Sequence, residues 1–220
     1  MKKIRGGLFI VFEGGEGSGK STHAELLAET WRNRGYDVLL TKEPGGEEEI
    51  CMPIRKMLLF GGHLSPEAEL MLYIADRLVH VNRVIKPALV ENKIVICDRF
   101  DASTYAYQVA GGNVSVEDFE KLNNIAKDGV KPHLYVWCDV SPEFGLSRNS
   151  KLLKNNRMEE KGIEYHKKVY AGYGHFFENY ERIYLKMDTE TRSVLEVSRG
   201  IEKVACNFLG ERGVIHEDEQ

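Results

Sequence analysis

An excess of basic residues is missing from these 220 residues: Lys and Arg number 30 against 34 Asp and Glu, a formal net charge of -4. Holding a nucleic-acid backbone needs surplus cations to displace its counterions, so no polynucleotide partner is expected, whereas single nucleotides remain open. Cysteine is scarce. The four present, Cys51, Cys97, Cys138 and Cys206, stand far apart without C-x-x-C spacing, and two fall in apolar strand-like runs. That excludes a disulfide framework and reads as reduced core thiols in a reducing compartment, the cytoplasm. No apolar run is long enough to span a membrane. The run behind Met1-Lys2-Lys3 is too short for a signal peptide and leads straight into a glycine-rich loop. Repeats and low-complexity tracts are absent too. With 42% hydrophobic and 29% charged residues, the chain can bury a full core. It reads as one domain over 1–209 with a polar, frayed tail over 210–220.

What is present is concentrated in Gly14-Gly15-Glu16-Gly17-Ser18-Gly19-Lys20-Ser21-Thr22, a match to the G-x-x-x-x-G-K-[ST] phosphate loop. Its glycines let backbone N–H groups turn inward on an anion with no Cβ in the way. Lys20 would reach the outer phosphates of a bound polyphosphate, Ser21 would offer a hydroxyl to Mg2+, and the helix starting there would aim its positive end at the same charge. Context supports the match. The buried-strand run Leu8–Phe12 precedes it, and Ala24, Leu27, Ala28 and Trp31 recur at helical spacing behind it.

Further along, 37–41 predicts a second strand, broken by Lys42-Glu43-Pro44-Gly45-Gly46. Residues 47–60 predict a short helix interrupted near Pro53. Ser65-Pro66 starts a long helix running to about Glu91 with a kink or split at Pro87. On that helix Leu70, Ile74, Leu78, Val81 and Ile85 form the expected core stripe, with Glu69, Tyr73, Arg77 and His80 on a neighbouring face. A tyrosine above an arginine can stack a planar base and hydrogen-bond its edge; a solvated pair is the alternative. The strand 93–97 ends in Asp98-Arg99-Phe100. There the acid can orient a metal or its water and the arginine can grip a phosphate, a surface ion pair being the alternative. Helices follow over 101–111 and 115–128, then a strand over 134–140. A helix from Pro142 to Arg148 leads into a polar, positive stretch through Arg157, read as a flap over about 148–161. An aromatic-rich helix, a strand over 183–187 and a helix over 193–209 complete the chain. The inner side of that last helix is expected to carry Val194, Val197, Ile201, Val204 and Phe208.

The order phosphate loop, Glu43-Pro44-Gly45-Gly46, Ala68-Glu69-x4-Ile74-Ala75-Asp76-Arg77 and Asp98-Arg99-Phe100-x2-Ser103-Thr104-x-Ala106-Tyr107-Gln108 resembles the thymidylate kinase family. These nucleoside monophosphate kinases make dTDP from dTMP and ATP, on the way to dTTP. The resemblance runs from about residue 8 to about residue 205. It implies a three-layer α/β P-loop fold with a five-stranded parallel sheet flanked by helices, a homodimer, and Mg2+ held at Ser21 and Asp98. Tyr73 takes the family's thymine-stacking position, and Arg77 would bind a base carbonyl, with Thr104 and Gln108 adding polar contacts. Arg99 and Arg55 would hold the acceptor phosphate, Tyr107 would crowd the 2′ position, and Glu16 would lie near the acceptor sugar and metal. Glu43, Pro44 and Ser103 complete the implied acceptor site. Because this phosphate loop carries no arginine, the resemblance points to Arg148 or Arg157 as the catalytic cation beside Lys20, Arg99 and Glu16. Lys151 and Lys154 stand where some relatives have arginine, and a lysine cannot make the forked contact.

The acceptor would be a phosphate monoester with a second pKa of about 6, largely a dianion near neutral pH and in no need of a general base. Repulsion between two anions is the problem, and positioning plus cations is the remedy. Three other readings stay open at this point. They are a sister kinase for another nucleotide, a nucleotide-dependent switch or motor, for which no N-K-x-D motif is present, and a catalytically weak binding protein.

Overall fold

Every residue of Leu8–Glu13 (β2) is buried, so its apolar side chains must fill two layers, and strand alternation decides which. Phe9 and Val11 join Val95, Cys97, Tyr135 and Trp137 in one core, while Leu8, Ile10 and Phe12 join Ile94, Ile96, Leu134 and Val136 in the other. The computed structural model describes residues 1–46, 49–150 and 161–215. Val38–Lys42 (β3), Ile94–Asp98 (β4), Leu134–Asp139 (β5) and Tyr184–Asp188 (β6) complete a parallel sheet in the order β3-β4-β2-β5-β6. This is the five-stranded, helix-flanked α/β sheet that the sequence led one to expect.

Lys20–Asn33 (α1) and Val194–Arg212 (α9) cover one face. The other lies under Pro66–His80 (α3), Asp101–Thr104 (α5), Val116–Lys127 (α6) and Ile163–Asn179 (α8), with Cys51–Phe60 (α2) packed on α3. Between β5 and α8 stands Pro142–Ser150 (α7). Ser65 caps α3 as expected, its hydroxyl accepting from Ala68 N at 3.2 Å, with Pro66 in the first turn.

Several expectations need correction. The long helix changes its winding before Pro87: Val81–Ile85 is a π-helix between α3 and Lys86–Val90 (α4). Pro87 has no N–H for the carbonyl four residues back, and the wider winding lets the helix carry on. Pro53 does not interrupt α2, because it falls in the first turn, where no intrahelical donor is needed. Leu78 is 36% exposed and off the core stripe, whereas Glu69, Arg77 and His80 of the supposedly neighbouring face are buried. The polar face of α3 is the one turned to the sheet's carboxyl edge. On α9 the inner residues are Val197, Ile201, Ala205 and Leu209; Val194 is exposed, and Val204 and Phe208 are only partly buried. Finally, 210–215 is not frayed, since α9 runs to Arg212 and Val214–Ile215 (β7) pairs antiparallel with Lys3–Ile4 (β1).

Each strand of the main sheet ends on a charged residue: Lys42, Asp98, Glu13, Asp139 and Asp188. Strand order reverses on either side of β2, which opens a crevice at these carboxyl ends.

Candidate active site

The loop from β2 to α1 turns through positive φ at Gly14, Gly17 and Gly19. A Cβ on Gly17 would lie 2.0 Å from Gly145 O of α7, and one on Gly145 would lie 2.2 Å from Glu16 O. Loop and helix therefore touch backbone to backbone, which only glycine allows. Gly19 gives α1 no side-chain cap, and no acid occupies its first turn, so the amides there stay available to an anion. Lys20 is buried beside them, its Nζ donating to Gly15 O at 3.2 Å. Burial and the nearby Arg99 charge push its pKa below the ordinary lysine range, against the pull of Glu16 and Asp98.

A cleft of about 350 Å3 opens over this loop. Its walls carry Glu16–Thr22 of the loop and all the acceptor-side candidates: Glu43, Pro44, Arg55, Tyr73, Arg77, Arg99, Ser103, Thr104, Tyr107 and Gln108. Gly14 and Gly15 are not among its lining residues. Ser21 donates its hydroxyl to Asp98 Oδ2, and Asp98 Oδ1 is buried with no partner among the described residues. A hydroxyl beside an orphaned carboxylate oxygen is a hard-oxygen donor pair that fits a small divalent cation. Among the described residues no group of three or more ligating His, Cys, Asp or Glu side chains occurs, so phosphate and water would have to complete such a coordination shell.

Arg99 is the hub. It sits at φ 73°, a left-handed conformation uncommon outside glycine, and its N–H donates to Phe12 O at 2.9 Å. Its guanidinium donates to Glu16 Oε1 at 2.9 Å, Ser103 Oγ at 3.1 Å, and Gly14 O and Tyr173 OH at 3.2 Å, while lying over the Tyr107 ring. Tyr107 OH donates to the same Glu16 oxygen at 2.8 Å. Burial alone would raise the Glu16 pKa, but Arg99, Lys20 and Tyr107 bring it down to about 2.

Two residues of this hub went unread in the sequence. Glu13 is fully buried, accepting from Phe100 N at 2.8 Å, Ser103 N at 3.2 Å and Ser103 Oγ at 2.5 Å. Tyr173 donates to Gly14 O at 3.1 Å and shares a hydrogen bond of 2.9 Å with Ser103 Oγ. A signal for Glu13 did exist: a lone acid between a fully apolar strand and the first loop glycine. For Tyr173 there was none, since its spacing on α8 matches that of the core aromatics around it.

At the far end of the cleft Arg77 is buried and donates to Glu43 Oε2 (2.9 Å), Asn123 Oδ1 (2.9 Å) and Thr104 Oγ1 (2.8 Å). The other Glu43 oxygen lies 3.0 Å from His80 Nδ1, and His80 Nε2 lies 2.7 Å from Thr41 Oγ1. Glu43, expected as a substrate contact, is thus engaged with Arg77 and His80 and holds Arg77 in place. Pro44 O accepts from Arg55, and Gly45 N donates to Asp76 Oδ1 at 2.8 Å, which folds the Glu43–Gly46 turn against α3. Arg148, on α7, does not itself line this cleft but stands beside its phosphate-loop wall, donating to Thr189 O at 2.9 Å and reaching Gly17 O at 3.5 Å, with its guanidinium over the Phe144 ring. Arg157, Lys151 and Lys154 fall outside the described residues.

A phosphate loop, a hydroxyl–carboxylate pair suited to a cation and an arginine-rich wall facing one cleft are the parts of a P-loop nucleoside monophosphate kinase. The thymidylate kinase family model matches residues 12–201. The thymidylate kinase of Synechococcus sp. (strain JA-2-3B'a(2-13)) is 46% identical over 166 residues, 76% of this chain and 79% of that one. Its counterpart in Caldicellulosiruptor saccharolyticus is 37% identical over 209 residues, covering 94% and 99%, and that in Geotalea daltonii is 41% identical over 194 residues, covering 84% and 90%. The chain belongs to the thymidylate kinase family, and so to the ATP-dependent nucleotide kinases.

Burial pushes the Glu13 carboxyl up from 4.5 to about 7, against the Ser103 hydroxyl and the Arg99 charge. An acid so raised stabilises the fold fully below its unfolded pKa, and that contribution is lost as pH rises through about 7. Glu13→Gln cannot ionise. Its unfolding free energy relative to the parent should therefore climb between pH 4.5 and 7.5, by up to about 3 kcal/mol. Urea titrations at the two pH values test this, and an unchanged difference would contradict it.

Proposed function

We propose that this chain transfers the γ-phosphoryl group of ATP to the 5′-phosphate of dTMP, releasing dTDP and ADP in the supply of dTTP, with the following division of labour. The observation that carries this reading is one continuous cleft running from the phosphate loop to the Tyr73–Arg77 pair. The loop amides and Lys20 hold the β- and γ-phosphates of ATP. Ser21 and Asp98 would hold Mg2+, which would supply positive charge to offset that of the phosphates. Tyr73 stacks the thymine, Arg77 donates to its carbonyl, and Thr104 and Gln108 bind its edge. Tyr107 lies against the sugar. Arg99 and Arg55 take the acceptor phosphate, with Glu16 as the anion that keeps Arg99 in place until the phosphate arrives. An oxygen of that phosphate attacks the γ-phosphorus as the bond to ADP breaks, and because the acceptor is already anionic no base is needed. Arg148 or Arg157 follows charge onto the transferring group.

The support for a second copy of the chain is a run of exposed apolar side chains on neighbouring α2 and α3, among them Met52, Met57, Phe60, Met71 and Leu78. We assign this face to a homodimer. Free cysteines, three of them buried, suit a cytoplasmic enzyme, and among the described residues no helix is long and apolar enough to cross a membrane.

A coupled ADP-release assay with dTMP, dUMP, dCMP and dGMP tests the reaction. dTMP should be turned over fastest and only with Mg2+ present, and in the same assay Arg148→Ala or Arg157→Ala should lower kcat by about 100-fold or more. ATP hydrolysis indifferent to dTMP would overturn the reaction, and full activity in both variants would overturn the arginine assignment. Sedimentation equilibrium should give twice the chain mass; a monomer at micromolar concentration would remove the dimer.

A further inference from the structure

The side chains that face a base in this cleft have their donor and acceptor ends set from behind. Gln108 donates from Nε2 to Glu69 Oε2 at 3.2 Å. A carboxylate only accepts, so Gln108 is left to present its Oε1 to the cleft it lines. Arg77 engages Glu43, Asn123 and Thr104 with three of its N–H groups, and whatever it has left can only donate. Asn123 cannot turn over. Its Nδ2 donates to Asp101 Oδ2 at 3.3 Å, which aims its Oδ1 at Arg77.

Asp101 is fully buried and in turn accepts from Tyr135 OH at 2.6 Å and Lys127 Nζ at 3.2 Å, with Arg182 at 3.6 Å. Burial disfavours its charge, but Lys127, Arg182 and Arg77 outweigh burial and hold its pKa below the ordinary range. Neither Glu69 nor Asp101 lines the cleft.

We propose that Glu69 and Asp101 are specificity-positioning residues. Glu69 acting through Gln108, and Asp101 acting through Asn123 on Arg77, hold the base pocket in a donor-then-acceptor pattern. That pattern complements a pyrimidine with a 4-carbonyl and an N3–H. Cytosine opposes it at both places, with an amino group facing the arginine and a bare N3 facing the glutamine oxygen. The inference rests on the dTMP reading of this same cleft.

The test compares kcat and KM for dTMP and dCMP with MgATP in the full chain. The parent should favour dTMP strongly. In Glu69→Met the Gln108 amide is free to turn and offer N–H to cytosine N3. The ratio of kcat/KM for dTMP over dCMP should therefore fall by about tenfold or more, with kcat for dTMP within about threefold of the parent. Glu69→Gln keeps an acceptor oxygen for Gln108 and should retain most of the ratio. Asn123→Leu, on a different helix, should lower the same ratio by raising KM for dTMP about tenfold while kcat changes less. Unchanged ratios in Glu69→Met and Asn123→Leu, or a parent that accepts dCMP as readily as dTMP, would overturn the proposal while leaving the kinase reading standing. A parent that phosphorylates neither nucleotide would instead overturn the kinase reading, and this proposal with it.

Discussion

A buried cation is the constraint on which this structure depends, and the Arg99 guanidinium is that cation. Its backbone is held in the left-handed region at the end of β4, and the side chain is enclosed by Glu16, Ser103, Tyr107, Tyr173 and Gly14 O. A buried charge without partners would cost several kcal/mol, and Glu16 supplies the anion that pairs with it. Glu13 works one layer lower. By accepting from Phe100 N, Ser103 N and Ser103 Oγ it ties the turn after β4 to the root of the phosphate loop. The groups around Arg99 are thus fixed by one another, the kind of preorganisation on which electrostatic stabilisation depends.

The same economy of position governs the other end of the cleft. Glu43 leaves the carboxyl end of β3 with its two oxygens already shared between Arg77 and His80, and Asp76 pins the following turn through Gly45 N. Burial, with the Glu43 charge beside it, pushes Asp76 up to about 6. Polar groups that a sequence reader would place in solvent are packed instead between α3, α6 and the sheet. They are tolerated there because nearly every one has a partner, and a satisfied buried network also removes alternative rotamers. Side chains on helices stand at one end of the cleft and the phosphate loop at the other, both carried by the same sheet.

Much of this was legible in advance, and the reasons differ by element. The phosphate loop announces itself because only glycine can do what its backbone does, and Gly17 against Gly145 O shows how little room there is. Strands buried on both faces leave continuous apolar runs, so β2, β4 and β5 could be read directly. Periodicity failed where a helix has both an apolar and a buried polar face. On α3 it put Leu78 inside and Glu69, Arg77 and His80 beside the core, because hydrophobicity cannot show that a charged side chain is buried against a partner more than thirty positions away in sequence. Tyr173 was missed for the same reason, its partner Gly14 lying 159 positions off, whereas Glu13 was marked as a lone acid after an apolar strand although its partner Ser103 is 90 positions away. The pairing of β7 with β1 rests on two residues from each end of the chain, too short a run for any pattern to mark.

The central claim is that Arg99 exchanges Glu16 for the phosphate of the acceptor. Calorimetric titration with dTMP and with thymidine, in the parent and in Arg99→Ala, tests it directly, since the two ligands differ only in that phosphate. The parent should bind dTMP at least about 100-fold more tightly than thymidine, and Arg99→Ala should lose most of that gap while its affinity for thymidine stays within about threefold. An undiminished gap in the variant would mean that the phosphate is held elsewhere, and the account would fail at its centre.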